Sequence, residues 1–204
     1  MRRSRAALVG VLLAVLALAG CSGGSSASSG SLHGHRLDPP FPVSATPLTD
    51  TDGQPFSLTK DTTDPLTLVF FGYSHCPDIC QTVMSNLASA MTRLDSQDRD
   101  RVQVVFVTTD PARDTQSALK TYLAHFDPSF VGLTGDIGTI VSVAKPLGVG
   151  ITQGQKLPTG GYDITHGTTI TGIDAADRGY VYWNETTSSA DFASDIHTLL
   201  AAAT

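Results

Sequence analysis

The chain has 204 residues, 41% apolar and 16% charged, with 13 basic against 19 acidic side chains and a net charge of −6. These proportions exclude a collagen-like or wholly disordered chain and leave room for one ordinary globular domain, or two small ones. With Arg2, Arg3 and Arg5 set aside, ten basic residues face 19 acidic ones, a balance of −9, and no Lys/Arg run follows Arg5, so neither nucleic acid nor an anionic lipid surface is expected as a partner.

Those three arginines precede an apolar run from Ala6 to Ala19 that closes in Gly20 and Cys21. Its length falls short of the roughly 20 residues that span a bilayer, so residues 1–20 read as a secretory signal. Leu18-Ala19-Gly20-Cys21 resembles a bacterial lipobox. That implies lipidation of Cys21, cleavage before it, and a lipid anchor in the cell membrane facing the outside of the cytoplasmic membrane. Plain secretory cleavage with a free Cys21 is the alternative, and Arg2-Arg3 does not tell one export route from another. Residues 21–36, rich in Ser and Gly, read as a flexible tether.

The remaining stretch, 37–204, is long enough for one domain with a sizeable core. Leu66 to Gly72 is a short, nearly continuous apolar run, as in a strand covered on both faces, and Val102 to Thr108 is a second. Between them, Val83, Met84, Leu87, Met91 and Leu94 recur at helical spacing. Asp114 is the expected N-cap of a helix carrying Leu119, Tyr122, Leu123 and Phe126, and a third helix is predicted over Ile137 to Leu147. Thr168 to Ile173 and Tyr180 to Trp183 read as a hairpin, and Ala190 to Ala203 as a closing helix. Strand, helix, strand, helix, helix, hairpin, helix, with two cysteines after the first strand, is the layout of a single thioredoxin-like α/β domain, extended at its N-terminus around Phe41 to Leu58.

Cys76 and Cys80 are the pair left once Cys21 is assigned to lipid. An exported chain permits a structural disulfide, but a bridge over three intervening residues constrains little unfolded-chain entropy. Their position at a strand-to-helix junction favours thiolate, the form that attacks disulfides and binds metals. On one helix face such a pair has Cβ atoms ~5–6 Å apart, wide for an unstrained disulfide but suited to clasping a soft ion.

Among the histidines, His33 and His35 fall in the tether, His125 and His197 on helices, and His75 beside Cys76, where it could tune that thiol. His166 stands in a glycine-bounded loop just before Thr168 to Ile173. In thioredoxin-like folds that loop faces the active-site cysteines and usually carries a cis-proline. A histidine there points to a metal site. Two Cys and one His form an open, soft donor set that suits Cu(I) or Cu(II), with zinc as the chemical rival. Asp78 and Asp163 flank the ligands and read as solvated loop positions; Tyr73, Tyr162 and Trp183 read as packing or docking surface.

Phe70-Phe71-Gly72-Tyr73-Ser74-His75-Cys76-Pro77-Asp78-Ile79-Cys80 resembles the metal and redox motif of the Sco/SenC family of copper proteins. Asp110-Pro111-Ala112-Arg113-Asp114-Thr115 is similar to its second motif, and Phe130 to Gly135 and Tyr162 to His166, continuing into Thr169 to Asp174, to its third and fourth. Gln81 and Gly167 stand where the family usually has a proline and a hydroxyl residue. The resemblance implies copper bound by Cys76, Cys80 and His166 and delivered, or accompanied by reducing equivalents, to the dinuclear copper centre in the copper-bearing subunit of cytochrome c oxidase. A monomer is expected. An enzyme of a different class, a thiol–disulfide oxidoreductase using Cys76 and Cys80, is the main alternative; a peroxidase fits the spacing less well.

Overall fold

The computed structural model describes residues 31–158 and 160–203. The signal segment 1–20, Cys21 and residues 22–30 of the tether lie outside the described residues. Among the described residues no helix is long and apolar enough to cross a membrane.

The centre of the fold is β4 (Leu66–Gly72), in which all seven residues are buried. Alternation sends Leu66, Leu68 and Phe70 into one core and Val69 and Phe71 into another, as a strand sandwiched between two layers requires. β5 (Val102–Thr108) pairs with it in parallel, and β6 (Val131–Thr134) continues the parallel set. On the other side β9 (Ile170–Asp174) and β10 (Arg178–Trp183) add antiparallel strands. β1 (His35–Pro42) borders β10, and β2 (Leu48–Asp50) and β3 (Pro55–Phe56) border β6, giving the order β1-β10-β9-β4-β5-β6-β2-β3.

Among the described residues, four α-helices cover the two faces and a short fifth links two elements. α1 (Ile79–Arg93), α3 (Gln116–Ala124) and α5 (Ser189–Ala202) supply Cys80, Met84, Leu87, Leu119, Phe192 and Ile196 to one core. α4 (Ile137–Ala144) supplies Ile140 and Val143 to the other, and continues as a 3-10 turn over Lys145–Leu147. The short α2 (Ser96–Arg99) joins α1 to β5. This is a thioredoxin-like α/β fold with N-terminal additions.

The described fold differs from the sequence reading at four places. The N-cap of α3 is Thr115, whose side chain accepts from the Ala118 N–H; the Asp114 carboxylate turns inward to Ser74 and Thr108 instead. The domain takes in residues before Leu37: Leu32 packs on the core, His35 opens β1, and the N–H groups of His33 and Gly34 donate to Asp195 at 3.1 and 2.7 Å. A Cβ on Gly34 would come within 2.5 Å of Trp183 Nε1, so only glycine lets this segment lie so close. Finally, β6 and a separate hairpin, β7 (Ile151–Lys156) with β8 (Tyr162–His166), occupy stretches without a clear strand pattern.

Candidate metal centre

β4 delivers the cysteine loop to the top of the buried sheet. Thr109 N–H and hydroxyl both donate to the Gly72 carbonyl, which ties the end of β4 to the chain leaving β5. Gly72 itself makes room, since a Cβ there would sit 3.0 Å from Cys80 Sγ. The chain then turns through a Cys76 N–H to Tyr73 carbonyl bond of 3.1 Å.

α1 begins only at Ile79, so Cys76 precedes the helix and Cys80 lies in its first turn. The two are not on one helix face as the spacing suggested. The N-cap residue Asp78 offers no side-chain capping bond, and the backbone N–H groups of Asp78, Ile79 and Cys80 point at the Cys76 sulfur. These N–H groups at the start of α1 favour the Cys76 thiolate.

The two thiols differ accordingly. Burial works against a Cys76 thiolate, yet the hydrogen bond from Cys80 and the three backbone donors outweigh it and hold its pKa below the ordinary value. Burial pushes the Cys80 thiol well up, and its bond to Cys76 pushes it further. Tyr73 is driven up to about 12 by burial and by the neighbouring cysteines. Both cysteines are free thiols, 7% and 0% exposed.

β8 brings in the third group. His166 closes the strand opposite Ile151 of β7, so it sits on a paired strand and not on the flexible loop expected. Its Nδ1 lies 2.9 Å from the Gly167 carbonyl; a carbonyl only accepts, so Nδ1 carries the proton and Nε2 keeps its lone pair. Burial lowers the His166 pKa, partly opposed by that carbonyl bond, which keeps the ring neutral and able to bind metal at neutral pH. Nε2 stands 3.7 Å from Cys80 Sγ. The ring rests edge-on against Phe70 and Tyr73, with centroids 6.4 and 5.8 Å away.

Thus Cys76 Sγ, Cys80 Sγ and a His166 ring nitrogen lie within 4.8 Å of one another, two soft thiols and one imidazole facing a common point. That donor set fits copper. The other histidines stay apart from it. His75 is exposed and bonds Ser74 Oγ at 2.9 Å; His33 lies 3.4 Å from Asp191, His35 stacks on Tyr182, His125 bonds the Thr121 carbonyl and His197 pairs with Asp98. Asp78 and Asp163 are exposed. Trp183 is fully buried, and its Nε1 donates to Asp195 at 2.8 Å.

Two residues near the site have roles that the sequence reading did not assign. Tyr122, a helix position in the apolar pattern, brings a buried hydroxyl without a hydrogen-bond partner among the described residues, its pKa raised by burial and then by Cys80. Asp114 accepts from the Ser74 N–H at 2.9 Å and from Thr108 Oγ1 at 2.6 Å, fixing the turn that leads to Cys76. A run of three charged residues directly after a buried strand was the visible cue for Asp114.

Comparison with known proteins points to one family of copper proteins. A Stutzerimonas stutzeri protein named for copper binding is 35% identical over 136 residues, 66% of each chain. The solution structure of apo Sco1 from Thermus thermophilus superposes with a TM-score of 0.73 at 30% identity, covering 84% of this chain and 97% of that one. Copper-bound ScoI of Bradyrhizobium japonicum gives 0.64 at 31% identity, covering 78% and 96%. The chain spans about half the length of several curated relatives, such as the mitochondrial SCO2 homologues of zebrafish and mouse. Residues 38–201 match the SCO1/SenC family, and the chain belongs to that family.

Proposed function

We propose that this chain is a membrane-tethered copper chaperone that carries copper on Cys76, Cys80 and His166 and delivers it to the dinuclear copper centre of cytochrome c oxidase. The observation that carries the reading is the convergence of those three donors within 4.8 Å, with the imidazole proton held on Nδ1. Copper is cargo here, so a three-donor set serves release better than a closed four-ligand cage. The chain's own part is to present one sulfur already biased toward thiolate, a second that gives up its proton on binding, and a nitrogen that needs none removed. Lipidation of Cys21 supplies the membrane anchor, and the Ser/Gly stretch after it the reach toward other membrane-bound proteins.

An anaerobic Cu(I) titration of the reduced full chain, in competition with a chromophoric chelator, tests the binding step. One tight equivalent is expected, weakened by Cys76→Ser, Cys80→Ser and His166→Ala alike. Affinity unchanged by His166→Ala would overturn the three-ligand site. For the anchor, Cys21→Ser is expected to move the protein from the membrane fraction to the soluble one.

The unequal thiols favour a second activity at the same residues. Cys76 thiolate attacks a partner's disulfide, expelling one partner thiolate; Cys80, deprotonated, then attacks the mixed disulfide and releases the second. Two electrons pass to the partner and a Cys76–Cys80 disulfide remains, a form that cannot hold Cu(I). Cys80→Ser should trap the mixed disulfide; its absence with an oxidised partner present would leave binding alone.

A further inference from the structure

The copper reading uses the cysteine motif and the histidine but leaves the charged run Asp110-Pro111-Ala112-Arg113-Asp114 unexplained. This run forms the loop between β5 and α3, and both of its acids are fully buried. Its charged groups reach in two directions. Asp114 holds the cysteine side through Ser74 and Thr108. Arg113 holds the histidine side: Nη2 donates to the carbonyl of Tyr162, the first residue of β8, at 3.3 Å, and Nε donates to Asp110 Oδ2. The guanidinium carbon also lies 5.8 Å from the centroid of Tyr73, the ring that meets His166 edge-on.

This contact matters because of how His166 is held. The β7–β8 hairpin is its own two-stranded sheet and shares no ladder with the eight-stranded one. No strand pairing therefore sets His166 against Cys80. One end of β8 is tied by the chain itself, since β9 starts at Ile170, four residues beyond His166. The other end meets Arg113. Gly161, just before Tyr162, has φ +70°, and a Cβ there would collide with Arg113 Nε and lie 2.7 Å from Asp110 Oδ2. The hairpin backbone is thus seated directly on the Arg113–Asp110 pair. Asp110 Oδ1 is buried with no hydrogen-bond partner among the described residues, and Arg113 Nε is the side-chain donor to its other oxygen.

We propose that Arg113 is a positioning residue of the copper site: with Asp110 it latches the start of β8 against Tyr73 and so keeps His166 Nε2 at the Cys80 sulfur. A planar guanidinium can serve a carboxylate, a carbonyl and a ring face at once, whereas the ammonium of lysine is a point charge that keeps only the first. The latch acts on the histidine and leaves the cysteines, which Asp114 and β4 hold, where they are. It rests on the copper reading, because its effect on affinity exists only if His166 binds the metal.

The test is a double-mutant cycle on the full chain, again by anaerobic Cu(I) competition, with Arg113→Lys, His166→Ala and the two combined. Arg113→Lys is expected to weaken Cu(I) binding by about 10- to 100-fold, the usual effect of losing a group that orients a ligand. In the His166→Ala background it should cost nothing further. An unchanged affinity, or an equal loss in both backgrounds, overturns the latch and marks Arg113 as merely structural. Asp110→Asn/Arg113→Met, which removes both charges together and strands no buried carboxylate, is expected to give the same loss and guards against misfolding. The metal-free chain supplies an independent arm. Amides of Tyr162 to His166 should exchange faster in Arg113→Lys, while those of β4 and β5 stay as they were. Unchanged exchange in β8 overturns the latch even if wild-type chain binds no Cu(I), an outcome that by itself defeats the copper reading instead.

Discussion

β4 and β8 both end at the metal centre, and they are built to opposite specifications. β4 is paired on both sides and buried at all seven positions. β8 pairs only with β7, and of its five residues Ile164 alone is buried. The cysteine loop therefore inherits the rigidity of the sheet centre, while the histidine arrives on an element whose place is set by a few side-chain contacts. Under the proposed chaperone function, that asymmetry would separate holding copper from releasing it. The thiols would then define where the ion sits, and the imidazole would be the donor that leaves at least structural cost.

The largest expected effect tests the rigid half. Phe70 is fully buried and packs against both Phe106 and His166. Phe70→Ala should destabilise the fold by about 3–5 kcal/mol in denaturant unfolding. Ile164→Ala, at the buried position of β8, should fall near the low end of its class, about 2 kcal/mol. Equal losses at the two positions would erase the distinction between the strands.

Next in size is a contact that involves none of the three candidate ligands. Asp195 is buried and accepts from the His33 and Gly34 N–H groups and from Trp183 Nε1, joining the N-terminal segment, β10 and α5. Asp195→Ala strands those donors, with an expected cost toward the top of the range of about 1–3 kcal/mol for buried groups left unsatisfied. Cu(I) affinity should be unchanged. A copper defect in this variant would show that the centre senses global stability, against the division drawn above.

A smaller effect sharpens the mobile half. Gly161→Ala introduces a Cβ at φ +70° against Arg113 and Asp110. The conformational cost alone is about 1–2 kcal/mol, and it falls on the hairpin. Faster amide exchange across β7 and β8 is expected, with weakened Cu(I) binding and little change in the denaturant midpoint, the reverse of the Asp195→Ala pattern.

How much of this could be read from sequence follows the same divide. β4, β5 and α1 announced themselves because buried strands and amphipathic helices leave strong apolar patterns, as Leu66 to Gly72 and Val83 to Met91 do. The hairpin did not, because Ile-Thr-Gln-Gly-Gln-Lys and Tyr-Asp-Ile-Thr-His are mostly polar and pair only with each other. β1 hid for a related reason: with Pro39, Pro40 and Pro42 and a largely exposed surface, its first two residues read as tether and the rest as an extension with no strand pattern, until β10 is seen beside it. The histidine was legible only from its place before β9 and from family likeness. Asp114 was mistaken for a helix cap since a carboxylate at a helix start is the commoner use, and only the tertiary fold shows it spent on Ser74. The Arg113 contact with the Tyr162 carbonyl spans 49 positions and leaves no periodic trace.

The smallest effect lies outside the candidate site. His197 on α5 bonds Asp98 of α2 at 2.6 Å. That hydrogen bond and the Asp98 charge, with a lesser contribution from Asp95, raise the His197 pKa above its ordinary value near 6.5. A raised folded-state pKa means the protonated histidine stabilises the fold. The stabilisation is complete below the unfolded value of about 6.5 and disappears as pH rises through the folded one. Because the His197 side chain is 68% exposed, solvent screens the pair and its worth is at most about 1 kcal/mol. Stability measured by denaturant titration from pH 6 upward should therefore decline slightly in the wild-type chain and lose that component of slope in His197→Ala. Raised salt should flatten it as well. A decline that survives both changes belongs to another group, and the α2–α5 contact then rests on packing instead of charge.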